Sequence, residues 1–163
     1  MKWLNSAWIV ATLLVLGGCQ QERVQIGKTA PPLATFDSAQ QQFDLPKNPT
    51  KPVILEFWTE DCGACIAMMK SLNKVAMSRS KQVDVIAVNM DKRAVDLTAV
   101  QNKWQLHFPL VRDQLGITQE RYAVEVTPTT FWINRDGVVT RTEIGFSASR
   151  DLNRDVDRLL QNH

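Results

Sequence analysis

The chain is poor in metal-binding side chains. Its 163 residues include three cysteines, at 19, 62 and 65, and two histidines, at 107 and 163. A structural zinc site needs four ligands, drawn from two cysteine pairs or from one pair and histidines. There is no second pair, His107 stands alone and His163 is terminal, so the donor set argues against zinc. Runs of basic charge are also missing. Lys and Arg number 19 against 17 Asp and Glu, spread along the chain for a net charge of +2, which gives nucleic acid nothing to bind. No internal repeat or low-complexity segment occurs. The apolar run Ala7–Leu16 has ten residues, too few to span a bilayer. What remains is an ordinary globular composition, 44% apolar and 22% charged, at a length that suits one domain with one sizeable core.

The N-terminus has the organisation of a signal peptide: Lys2, the apolar run, then the small residues Gly17 and Gly18 before Cys19. Leu16-Gly17-Gly18-Cys19 resembles the lipobox of bacterial lipoproteins, in which the cysteine is lipidated and becomes the first mature residue. That resemblance implies a signal peptide over 1–18, lipid on Cys19 and an anchor on the extracytoplasmic side of a membrane. Gln20 in place of Asp favours the outer membrane if the host is Gram-negative. An ordinary signal peptide cleaved nearby is the alternative. Lipidation of Cys19 would also resolve the odd cysteine count, leaving only Cys62 and Cys65 as thiols. Residues 19–32 read as a polar tether ending in Pro31-Pro32, roughly 40 Å long if its last dozen residues are extended.

Residues from about 24 onward read as one domain, with its α/β body at 33–163. Leu33–Phe36 and Gln42–Leu45 can pair as a hairpin around Asp37-Ser38-Ala39. Val53–Trp58 and Val83–Asn89 have the apolar, β-branched character of buried parallel strands. Ile66, Met69, Leu72, Val75 and Ala76 fall at helical spacing and predict a helix over 63–77. A second helix is predicted over 94–104 and a short extended piece over 108–111. Thr129–Asn134 and Val138–Ile144 flank Arg135-Asp136-Gly137, a hairpin with Asp-Gly as its turn. Leu152, Val156, Leu159 and Leu160 mark a last helix, with Ser149 as its candidate cap. The order implies a mixed sheet with helices on both faces.

Cys62-Gly63-Ala64-Cys65 falls where the first strand ends and the first helix begins. A thiol at a helix N-terminus faces unsatisfied N–H groups that stabilise its thiolate, and a second thiol one turn on can close a small ring. One sulfur can then attack a substrate disulfide and the other resolve the mixed disulfide. A structural disulfide is the bland alternative, although a loop so short restrains the unfolded chain little.

One acid, Glu56, interrupts the apolar run Val53–Trp58, where burial would be costly and would raise its pKa. EFWTEDCGAC, IGKTAPPL, HFPLVRD and YAVEVTPTTFWINRDGVV together resemble the TlpA/ResA-like branch of the thioredoxin superfamily, membrane-tethered thiol-disulfide oxidoreductases. The resemblance covers nearly all of the chain after Cys19. It implies a thioredoxin-like mixed central sheet with helices on both faces and an N-terminal β-hairpin extension. It makes Cys62 the nucleophile, Cys65 the resolving thiol and Pro128 the cis-proline beside them. Thr127 becomes the substrate contact, with Trp58 and Asp61 at the same surface, although packing in the core is an equally good reading of Trp58. Glu56 becomes a buried carboxyl that exchanges a proton with Cys65; an edge position facing solvent is the alternative for it. No cofactor beyond the redox-active disulfide, and no metal, is implied. The expected partners are a disulfide-bearing protein substrate, a membrane electron donor of the DsbD/CcdA kind and the membrane itself; a monomer is expected.

Three departures narrow the expectation. Asp61 replaces the tryptophan usual before the first cysteine, Ala64 replaces the usual proline, and Met68 replaces the glutamate of the cytochrome c maturation proteins. Glu60 and Asp61 stand directly before Cys62, with no Lys, Arg or His between Lys51 and Lys70, which disfavours the thiolate. The expectation is therefore a reductase, with a Cys62 thiol at or above the pKa of about 7 found in thioredoxin. An oxidase or isomerase remains as an alternative. So does a Cu(I)-binding module that uses Cys62, Cys65 and Met68 or Met69.

Overall fold

The computed structural model describes residues 23–46 and 49–161. The signal peptide, Cys19 and Gln20 lie outside the described residues.

Seven strands form one mixed sheet. The apolar run Val53–Trp58 (β3) is its buried centre, parallel to Asp84–Asn89 (β4) and antiparallel to Thr129–Ile133 (β6). Leu110–Arg112 (β5) continues the parallel side, and the hairpin Thr35–Phe36 (β1) with Gln42–Phe43 (β2) extends the sheet beyond it. Val139–Ile144 (β7) lies on the other flank, antiparallel to β6. The order is β2-β1-β5-β4-β3-β6-β7. Hairpin turns form as their side chains allow. Asp37 Oδ1 accepts from Ala39 N and Gln41 N, and Asn134 Oδ1 accepts from Asp136 N and Val138 N. Gly137 takes the positive φ that the second turn requires.

Period-two alternation divides the core. Ile54 and Trp58 face the helices Gly63–Ser78 (α1), Leu97–Trp104 (α2) and Leu152–Gln161 (α4). Val53, Leu55 and Phe57 face the other side, where Tyr122, Phe131 and Leu33 pack. There Phe57, Tyr122 and Phe131 form an aromatic triad with centroids 5.0–5.6 Å apart. The helices thus lie on both faces, because the short helix Ile117–Arg121 (α3) covers this second side.

Several expectations change. The predicted start of α2 at 94 moves to Leu97, because Asp96 caps it by accepting from Ala99 N. The cap of α4 is Asp151, which accepts from Asn153 N and Arg154 N; Ser149 bonds Ser147 instead. Helix α3 was not expected at all. Its N-terminus is tied by Asp113 Oδ2, which accepts from Gln119 N at 2.6 Å. The last part of the predicted tether belongs to the domain: Val24 N bonds Arg121 O, Ala30 N bonds Gly137 O, and Thr29 bridges Val138. Tyr122 also donates its hydroxyl to Pro31 O at 2.7 Å, so the double proline is docked rather than free.

Candidate active site

Strand β3 delivers Cys62 to the head of α1. The chain turns through Thr59–Asp61, and Cys62 takes extended geometry as the helix N-cap. Its Sγ accepts from Cys65 N at 3.1 Å, the bond a serine or aspartate would make at this position. Cys62 and Cys65 are joined as a disulfide, with Cα atoms 5.1 Å apart. Burial separates their roles. Cys65 is fully buried in the core, Cys62 is half-buried, and Gly63 and Ala64 are exposed. A Cβ at Gly63 would meet nothing within 4 Å, so the approach to Cys62 is open. Of the two sulfurs, Cys62 is therefore the one open to solvent, and Cys65 lies behind it.

The loop before β6 lies against this sulfur. The Thr127–Pro128 peptide bond is cis. Thr127 O is 3.7 Å from Cys62 Sγ, and Thr127 Oγ1 is 3.3 Å from Thr59 Oγ1. Pro128 is buried and its carbonyl accepts from Gly145 N, which fixes the loop to β7. Val126 is 51% exposed beside it, an apolar step at the edge of the loop that meets Cys62. Thr127 is therefore placed directly against the half-buried sulfur.

Trp58 is not. Read from the sequence as a substrate contact, it is fully buried and packs edge-on against Trp104, with ring centroids 5.4 Å apart. It follows from strand alternation: Trp58 shares its face with Ile54 and points under α1. Its part is to pack the floor beneath the dithiol.

Asp61 remains at the surface, its side chain 87% exposed, but it is not alone. Arg93, in the loop after β4, places Nη2 at 2.9 Å from Asp61 Oδ2 and 3.2 Å from Glu60 Oε2. That loop is itself held. Asp91 Oδ2 accepts from Glu60 N and Asn89 Nδ2, while Arg112 donates to Arg93 O at 2.9 Å. No Lys, Arg or His stands between Lys51 and Lys70 in the sequence, but in space the acids have a cation, which comes from 32 positions beyond Asp61. Replacing Arg93 by alanine leaves both carboxylates unpaired beside Cys62. Alkylation of the reduced protein at neutral pH is then expected to slow by roughly two- to threefold, a small factor because the pair is exposed. An unchanged alkylation rate would show that this charge does not reach the sulfur.

Glu56 lies at the centre of the sheet, fully buried, so the solvent-facing alternative is excluded. It shares a strand face with Ile54 and Trp58, the face on which Cys65 is buried. Its Oε2 accepts from Thr130 Oγ1 at 2.6 Å, and its Oε1 has no hydrogen-bond partner among the described residues. Burial pushes its carboxyl up to about 8, against the opposing pull of the Thr130 hydroxyl and the Arg150 guanidinium. At neutral pH it is mostly a neutral acid that can ionise with little driving force. That suits a group that takes up and returns a proton.

Among the described residues no group of three or more His, Cys, Asp or Glu could hold a metal ion. Met68 and Met69, the candidate soft ligands, are 1% and 0% exposed and belong to the core around α1. Neither offers an accessible sulfur beside Cys62.

A disulfide at a helix N-cap, a cis-proline loop against it and a buried acid on the same sheet face define a thiol-disulfide oxidoreductase of thioredoxin fold. Residues 25–160 match the Redoxin family model, and the chain belongs to that family, on its TlpA/ResA-like side. It is 29% identical over 164 residues to the thiol-disulfide oxidoreductase ResA of Bacillus thuringiensis, covering 93% of this chain and 95% of that one. It is 26% identical over 137 residues to the thioredoxin-like protein YneN of Bacillus subtilis, covering 82% and 80%. The crystal structure of a DsbE-type thiol:disulfide interchange protein from Chlorobium tepidum superposes with a TM-score of 0.73. That pair is 26% identical, over 84% of this chain and 99% of the other.

Proposed function

We propose that the chain is an extracytoplasmic protein-disulfide reductase, anchored to the cell envelope through lipid on Cys19 and facing the periplasm. The observation that carries the direction of transfer is the charge around the open sulfur. Two carboxylates, Glu60 and Asp61, share one guanidinium, Arg93, beside Cys62. The remaining negative charge opposes the helix N-terminus and disfavours the Cys62 thiolate, less steeply than the two acids alone would. A poorly stabilised thiolate is a good electron donor.

In this reading Cys62 thiolate attacks a substrate disulfide that lies along Thr127 and Pro128, and one substrate sulfur leaves. Cys65 then gives its proton to Glu56, attacks Cys62 Sγ and releases the second substrate thiol. A membrane donor of the DsbD/CcdA kind returns two electrons to the disulfide.

Trapping tests the reading. In the anchored full-length chain, Cys65→Ser is expected to accumulate mixed disulfides through Cys62 with envelope proteins, reversed by reductant and absent from Cys62→Ser. The reduction potential of the wild-type pair should lie near that of thioredoxin, about −270 mV, rather than near the roughly −120 mV of DsbA. A value close to the latter would sink the reductase assignment and leave an oxidase.

A further inference from the structure

The docked stretch Val24–Pro32 fixes where the chain leaves the domain. Val24 N bonds Arg121 O at 2.8 Å, at the end of α3. The chain then crosses to the opposite end of the sheet, where Gly27 N bonds Val139 O and Ala30 N bonds Gly137 O, each at 2.8 Å. Arg23 stands just before this crossing. It lines a hollow of about 280 Å³ together with Gly116, Glu120, Ala123 and Glu125.

The loop between that hollow and the disulfide is braced. Ala123 takes a left-handed turn with φ 49°, Val124 N bonds Gln119 O, and Gln119 Nε2 donates back to Val124 O at 3.0 Å. Thr129 Oγ1 donates to Val126 O at 2.8 Å. Glu125, on the wall of the hollow, is two positions before Thr127, whose carbonyl oxygen lies 3.7 Å from Cys62 Sγ. The chain therefore leaves the domain at the end of the sheet where β3, β4 and β5 finish and β6 begins, which is the end that holds the dithiol.

Docking also removes most of the slack in the tether. Cys19 is four positions before Arg23, a reach of roughly 14 Å at full extension. A domain of this length is roughly 35 Å across. A tether well below that diameter keeps the end it leaves from nearest the anchor. The surface of that end suits a protein partner. Leu115, beside Gly116, is 71% exposed, and Ile144, the register partner of Thr129, is 69% exposed. With Val126 they form an apolar rim, and Asp61, Glu120 and Glu125 are exposed among them. Exposed apolar side chains favour contact with another protein, whereas the carboxylates are repelled by anionic lipid and keep this end from sinking into it.

We propose that the anchor leaves the domain beside its active site, so that Cys62 is turned toward the membrane and exchanges with disulfides and dithiols of proteins held at that surface in preference to dissolved ones. The proposal rests on the reading of Cys19 as the lipid anchor.

Two measurements on the lipidated full-length protein in phosphatidylcholine vesicles test it. In the oxidised protein an engineered thiol is the one free for labelling. A fluorophore on Leu115→Cys, at the active-site end, is compared with one on Arg135→Cys, in the exposed turn at the opposite end. Energy transfer to acceptor-labelled lipid should be higher from position 115, by roughly twofold or more. The second measurement follows reduced Cys62 attacking a chromogenic aryl disulfide carried on a phosphatidylethanolamine headgroup. The lipid-borne sulfur stays on Cys62 as a mixed disulfide, and the aryl thiolate leaves with the electron pair of the broken bond. Inserting about twelve Gly and Ser residues before Arg23 should slow this release roughly threefold to tenfold, because a longer tether dilutes Cys62 near the surface. Release from the same aryl disulfide in solution should not change. Equal transfer from the two positions, or more from 135, overturns the proposal. So does a lipid-borne reaction that is unchanged or faster with the longer tether, and so does equal slowing with both probes, which would trace the loss to the domain. A chain that carries no lipid and stays off the vesicles overturns the anchor reading and the proposal with it; vesicle binding without the difference in transfer overturns the proposal alone.

Discussion

Cys62→Ser is expected to abolish disulfide exchange, with a loss on the order of a thousandfold or more in the rate of attack on a disulfide. The size of the effect follows from access. Cys65 is fully buried and cannot substitute for the missing sulfur, and its backbone N–H already points at position 62. A serine hydroxyl there can keep the N-cap, because oxygen accepts from that N–H as well as sulfur does. The fold should therefore survive while the chemistry stops. Cys65→Ser should behave differently: with a chromogenic aryl disulfide as substrate, the first chromophore, displaced by attack of Cys62, is still released, and the second, displaced by closure of Cys65 on Cys62, is not. Stopped-flow measurement on the two variants checks the pair. Substantial first-phase activity in Cys62→Ser would assign the nucleophile to Cys65 and contradict the burial order.

That asymmetry was legible in the sequence only in part. The strand-to-helix passage at Cys62 could be read directly, because β3 is a nearly unbroken apolar run and α1 keeps its buried residues at helical spacing. The alternation within β3 also contained the answer for Trp58, two residues from Glu56 and therefore on the same buried face. Other features depend on contacts distant in the chain. Arg93 neutralises part of the charge before Cys62 from 32 positions away, and only the return of β4 beside β3 brings it there. Glu143 comes into line with Thr130 and Glu56 through the antiparallel pairing of β6 with β7 and with β3, which no local pattern reveals. Helix α3 spans five residues, too few for a periodicity to show, and is tied by an aspartate outside it. The caps of α2 and α4 are local features, Asp96 and Asp151, each an acceptor at the residue before its helix.

The buried acid leads to the other large effect, on stability. Glu56 has a raised carboxyl in the native protein, about 8 against 4.5 for the ordinary group. Between those values the native state keeps a proton that the unfolded chain has released, so stability falls as pH rises. Its contribution is complete below about 4.5 and is lost as pH climbs through about 8. Glu56→Gln keeps an acceptor for Thr130 and has nothing to ionise. Relative to wild type it should become progressively more stable with rising pH, by about 3–5 kcal/mol across that window. Urea unfolding of the oxidised proteins at several pH values checks this. Parallel stability curves for the two proteins would mean that Glu56 does not titrate in the window, and would remove it as the proton acceptor for Cys65. A curve that diverges as expected, in a variant whose second chromophore release is also slowed, would show one carboxyl serving both ends. The burial that weakens the fold at neutral pH is the same burial that holds Glu56 close to the ionisation that the proposed exchange with Cys65 requires.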